Sequence, residues 1–257
     1  MLKKLTSGIL AAIAFAGLAG QASASSVLFS GSSGNLAASA NFDLSGTTLT
    51  VTLTNTTLTP ISQNADLLFS VFWHSDSAIG GTLSSTNLGA GASKYWPNGS
   101  ASAITDLDEG GFGYAKSIPT NGGGGLTNQQ YGVSAVGLGV TYDGGLVGLN
   151  GATPVPNIDG GDGGLAGVNG GSASNGNKPA IMGSLVYTIT GVSDAFNLNC
   201  ITNVRFQYGT SFTETQIPGN PPGGTPNNPV PVPAAAWTGL SLLAGMGAIA
   251  KLRRRRA

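Results

Sequence analysis

The chain of 257 residues has one cysteine and one histidine, and only 9% of its residues are charged. A lone thiol, Cys200, cannot close an intramolecular disulfide, so no disulfide framework holds this fold. Cys200 follows Leu198 and precedes Ile201, which reads as a buried strand residue. A catalytic thiol would need a basic partner, and the single imidazole is His74, in Phe72-Trp73-His74-Ser75-Asp76. His74 reads as a strand-end surface residue, with ligand or base as the alternative. Cations are scarcest in the middle of the chain. Of eleven basic residues, Lys3 and Lys4 stand near the N-terminus, and Lys251, Arg253, Arg254, Arg255 and Arg256 at the C-terminus. Residues 25–233 keep only Lys94, Lys116, Lys178 and Arg205 against eleven acidic residues, a net charge of −7. Such a surface repels nucleic acid and anionic lipid, and no nucleic-acid partner is expected. No amphipathic helix of three turns is visible between the two ends.

The ends themselves carry the clearest patterns. Lys3 and Lys4 form a basic start, Ile9–Leu18 is apolar, and Ala22-Ser23-Ala24 is an A-x-A cleavage site. Residues 1–24 therefore read as a signal peptide, taken by the Sec machinery and cut by signal peptidase to leave Ser25 first. At the other end, Val230-Pro231-Val232-Pro233 leads into an uncharged run, 234–250, that stops at the basic cluster. As a helix that run would measure about 25 Å, close to the hydrocarbon thickness of a bilayer. Trp237 falls near its outer end, and the arginines would hold the C-terminus in the cytoplasm. Proline stop, single span and arginine cluster resemble the PEP-CTERM sorting signal. The matching residues are Pro231, Val232 and Pro233, the run Leu240–Gly247, and Arg253, Arg254, Arg255 and Arg256. The family's usual motif is Pro-Glu-Pro, and here Val232 stands in the place of Glu. The resemblance implies processing by an exosortase-like protease and a destination at the cell surface or in the extracellular matrix, after a transient single-pass precursor in the inner membrane.

Between the tags the composition is that of an extracellular β protein: abundant Gly, Ser, Thr and Asn, few charges. Thr48–Asn55 alternates leucine or valine with threonine, the pattern of a half-buried antiparallel strand with a solvated threonine face. Asn41–Leu44 and Ser45-Gly46 complete a hairpin. The run 65–73 reads as a central strand, and 184–190 and 202–208 as two more. Weaker strand patches lie at 131–136 and 138–142. The economical architecture is all-β, an antiparallel β-sandwich of jelly-roll or immunoglobulin-like type, over residues 25–216. A glycine-rich insertion, 108–176, holds 22 of the 42 glycines. Within it Asp143–Gly151 recurs as Asp162–Gly170, which reads as two related loops or hairpins projecting from the domain. Residues 217–231 form a Pro/Gly/Asn-rich linker before the tag at 232–257; at about 3.1 Å per residue it reaches roughly 50 Å at most. Over most of the length between the tags, Leu44–Thr56, Tyr131–Leu138 and Val204–Ser211 resemble the XDD4 family of exosortase-dependent surface proteins. That resemblance implies a surface protein and supplies no catalytic residues.

Candidate chemistry is thin. Asp159 and Asp162, spaced by glycines, offer carboxylates and free carbonyls suited to calcium, although the Asp-Gly pattern breaks both the nonapeptide repeat and the EF-hand loop. The alternative is a solvated loop, and no other metal or cofactor is expected. Tyr95 and Trp96, with Trp73, Tyr114 and Tyr142, would furnish a platform for sugar rings; the alternative places Trp73 in the core and the others as loop anchors. Asn55-Thr56-Thr57 and Asn98-Gly99-Ser100 fit the N-glycosylation sequon. No pair of carboxylates is placed in one cleft, so no catalytic residue is assigned and the chain reads as a non-enzyme. Three roles remain: a structural or interaction protein of the surface, a module that binds extracellular polysaccharide, and a secreted hydrolase.

Overall fold

The structure, a computed structural model, describes residues 25–95, 111–118, 126–149, 163–167, 169–170 and 179–222. These residues form two β-sheets. The first begins as a meander of β1 (Ser25–Ser33), β2 (Leu36–Ser45) and β3 (Thr48–Asn55). It is completed by β12 (Ser184–Val192) and β5 (Gly80–Leu88), in the order β1-β2-β3-β12-β5, all antiparallel. Two-residue loops join the meander, with Gly34 and Gly46 at φ +59° and +56° in the first loop position. That conformation favours glycine in tight hairpins. In the immunoglobulin arrangement the third strand crosses to the opposite sheet, whereas here the first three strands are neighbours in one.

The second sheet is built around β4 (Leu68–Ser75), which is buried along nearly its whole length. On one side it pairs with β13 (Ile201–Tyr208), which in turn pairs with β14 (Gln216–Gly219). On the other side, β8 (Tyr131–Ser134) pairs with Ser70–Trp73, followed by β7 (Phe112–Ala115) and β9 (Leu146–Val147). Nearer the start of β4, at Leu68, that side takes β10 (Gly164–Ala166), then β11 (Ala180–Met182) and β6 (Ser93–Tyr95). The β10–β11 pair is parallel.

The sheets share one core. Phe29 and Phe42 of the first sheet meet edge to face, and Phe42 meets Trp73 of the second at 5.1 Å and 76°. Trp73 lies nearly parallel to both Tyr131 and Tyr114, with ring centroids 6.2 and 6.4 Å away. Such ring pairs add to the burial of their large apolar area. A smaller cluster of Phe72, Ala115, Ile118 and Leu126 covers the outer side of β4, with Phe212 against Phe72 at 5.7 Å.

Single bridges stitch the sheets at both edges. Ser30 and Asn220 exchange N–H···O bonds of 2.9 and 2.8 Å, and Thr86 bridges Leu149. The first seam stays short for a chemical reason. Pro218 and Pro222 flank Asn220 two residues away on either side, where a longer ladder to β1 would need N–H donors that proline lacks.

Several expectations need revision. The 108–176 segment does not simply project: its described residues supply β7, β8, β9 and β10, and both copies of the repeat enter the second sheet, as β9 and β10. The patch at 138–142 is not a strand; it is a turn with Leu138 at φ +44° and Gly139 at +71°. The central strand starts at Leu68, after a 3-10 turn at Asn64–Asp66, and not at residue 65. Strands β1 and β5 had no clear signal. Among the described residues no helix is long and apolar enough to cross a membrane, and 1–24 and 234–250 lie outside them.

Candidate functional site

Most residues singled out from sequence lie outside the described part: Ala22, Ala24, Trp96, Asp159, Asp162, Pro231–Pro233 and Arg253–Arg256. Tyr95 closes β6, its backbone opposite Ala180 of β11. The wider aromatic platform does not form. Trp73 and Tyr114 are fully buried in the shared core, and the Tyr142 ring lies on Gly113 with its hydroxyl donating to the Val136 carbonyl at 2.5 Å. Asn55 is not an open sequon either. Its side chain is buried, donates to the Leu165 carbonyl at 2.8 Å and accepts from Thr57 N–H at 3.0 Å.

The lone thiol and imidazole do not form a dyad. Cys200 belongs to the 3-10 turn Leu198–Cys200 rather than to a strand, and is partly buried. His74, half-buried at the end of β4, donates from Nε2 to Asp76 Oδ1 at 3.0 Å, and makes no hydrogen bond to Cys200. The backbone bond at this end of β4 runs from Asp76 N–H to the Cys200 carbonyl, and His74 is paired with Thr202 of β13. Among the described residues, no three of His, Cys, Asp and Glu gather to hold a metal ion.

Two surfaces remain as candidates. One is a groove of about 400 Å³ between the β1–β2 turn, the β3–β4 connection and Thr215. Ser33, Asn35, Thr59 and Thr215 line it with polar side chains that make no hydrogen bond to described residues, over a floor that includes Pro60 and Ile61. Its carboxylate is already engaged. Asp66 accepts from Ser62 and Gln63 backbone and side chains at 3.1–3.3 Å and so clasps its own turn.

The other surface is the outer face of the five-stranded sheet. Strand register brings its side chains into rows across the strands. One row reads Ser26, Asp43, Thr50, Thr188, Ser85. The next reads Leu28, Asn41, Thr52, Val186, Asn87. The five strands hold one charged residue, Asp43, whose carboxylate accepts from Asn41 Nδ2 at 2.7 Å. Among the described residues of these five strands there is no lysine, arginine or glutamate. The side-chain hydroxyls of Thr50, Thr52, Thr54 and Thr188 make no hydrogen bond to described residues. Alternation in 48–54 announced the threonines; their alignment with β12 and β5 depended on pairings that periodicity does not reveal.

Comparison with protein-family models, with curated proteins and with solved structures returns no match for this chain.

Proposed function

We propose that the chain is an exported structural or interaction protein of the cell surface or extracellular matrix. In this reading residues 1–24 direct Sec export and are removed by signal peptidase, and 234–250 forms a single transmembrane helix in the precursor. An exosortase-like protease then acts at the Pro231–Pro233 stretch, and the β-sandwich is delivered outside. The observation that carries the reading is the order of features at the C-terminus: proline stop, uncharged span, Arg253–Arg256. Intact mass and cell fractionation of the surface form test it, and a surface form that still begins at Met1 would overturn the export step.

A second reading, a module that binds extracellular polysaccharide, is favoured by a separate observation. Two polar surfaces, the groove and the outer sheet face, each with one carboxylate that accepts hydrogen bonds from its neighbours, offer polar side chains that make no hydrogen bond to described residues. Neutral sugars are recognised by such groups, which both donate and accept. Sedimentation with insoluble polysaccharide tests it: protein left wholly in the supernatant counts against binding.

A further inference from the structure

We propose that folding masks the N-terminal processing site, so that the cut between Ala24 and Ser25 must come before β1 joins its sheet; this rests on the export reading above. Strand β1 begins at Ser25, the residue that would follow the cut. It is paired from that first residue: Ser25 with Leu44, Ser26 with Asp43, Val27 with Phe42. The far end of the strand shows which way its backbone groups point. Ser30 turns both its N–H and its carbonyl to Asn220, away from β2. Alternation along an antiparallel pair then turns those of Phe29, Val27 and Ser25 toward β2. The N–H of Ser25 belongs to the peptide bond that signal peptidase would cut. A protease that reads an extended chain needs the same main-chain groups that β2 holds.

Side chains hold the start of β1 down as well. Ser26 Oγ donates to Asn41 Oδ1 at 2.9 Å, and Val27 packs against the core. Phe29 is buried and meets Phe42 edge to face at 5.7 Å. Cutting the folded chain therefore waits on local opening of this segment, and its rate scales with the open fraction. The C-terminal stretch is placed differently. Residues 223–230 separate Pro222, the last described residue, from Pro231, so a cut there removes no strand pairing.

The test is the order of addition. Purified full-length precursor in detergent is diluted out of urea either straight into signal peptidase, or into buffer with the enzyme added after refolding. A second chain carries a flexible Gly/Ser spacer between Ala24 and Ser25, which moves the bond away from the strand. We expect the refolded native precursor to be cut at least about tenfold more slowly than the refolded spacer chain. The native precursor that meets the enzyme while unfolded should be cut as fast as the spacer chain, with Ser25 first in the product. Equal rates for the refolded native and spacer chains would overturn the proposal. If neither chain is cut after its Ala24 in either order, the export reading itself fails and the proposal falls with it. Amide exchange gives a second readout. The Val27 N–H should be protected in the refolded precursor with residues 1–24 attached. Exchange there at the rate of an unfolded chain would show that β1 does not close while the leader is attached, which also overturns the proposal.

Discussion

Glycine in this fold is often a seat for an aromatic ring. A methyl group on Gly132 would lie 2.1 Å from the Phe72 ring, on Gly144 2.2 Å from Tyr114, and on Gly164 2.5 Å from Phe69. These glycines are buried strand or turn positions where only hydrogen fits beneath the ring. Gly132→Ala should therefore cost about 1–3 kcal/mol through overpacking. Gly137→Ala, with no atom within 4 Å, should change stability by less than about 1 kcal/mol. Urea denaturation of the two variants separates them, and equal stabilities would refute the seating argument. Burial acts on the tyrosines too. It holds the Tyr114, Tyr142, Tyr187 and Tyr208 hydroxyls above their ordinary pKa. The unfolded chain ionises its tyrosines near pH 10, while these four stay protonated in the fold. The unfolded state thus loses protons first, and stability falls as pH rises above about 10 and is unaffected by these groups below about 9. Urea midpoints against pH should show that decline, with tyrosinate absorbance from the buried rings appearing only on unfolding; full tyrosinate absorbance in the folded protein would contradict it.

At the level of strands, legibility followed periodicity. Thr48–Asn55 alternates without interruption, and the structure has a strand there, buried at every second position. Strand β5 pairs just as extensively but was not visible. Its register with β12 shifts between Thr188 and Ile189, so that Leu83 and Thr86 are both buried, three residues apart. The extra residue of that bulge erases the period of two. Strand β1 failed for a different reason: in Ser25–Ser33 it mixes serine and glycine with few strand-forming residues, and pairing with β2 rather than propensity fixes it. Glycine density misled in 108–176 because the same residue serves turns and ring seats. The groove had no signal at all, since its lining comes from three separate connections. A link between the sheets was also hidden. Asn55, at the end of β3, bonds the Leu165 carbonyl of β10, 110 residues away. Asn55→Ala would remove both of these buried bonds, leaving the Thr57 N–H without its Asn55 acceptor and the Leu165 carbonyl without its Asn55 donor, at a cost of about 1–3 kcal/mol. Thermal unfolding measures it, and an unchanged melting temperature would show that the bond contributes nothing.

For the molecule as a whole, two sheets around one aromatic core, stitched at both edges, need no disulfide. The far-ultraviolet circular dichroism of the surface form should be of β type and should not change on adding reductant; a helix-dominated spectrum would contradict the fold. Residues 25–233 hold eleven acidic against four basic residues, a balance that opposes close approach of copies at low salt, and proline on both sides of Asn220 limits pairing along that edge. Both properties suit a protein exposed outside the cell. In the proposed sorting scheme the arginine cluster acts in the precursor, where replacing Arg253 to Arg256 with serine should weaken orientation and reduce processing. The most direct test of the account is the intact mass of the protein recovered from the cell surface or medium. It should correspond to a chain that starts at Ser25 and ends at about Pro233. A surface form that retains the Arg253–Arg256 peptide would contradict sorting by cleavage and leave a permanent single-span anchor in its place.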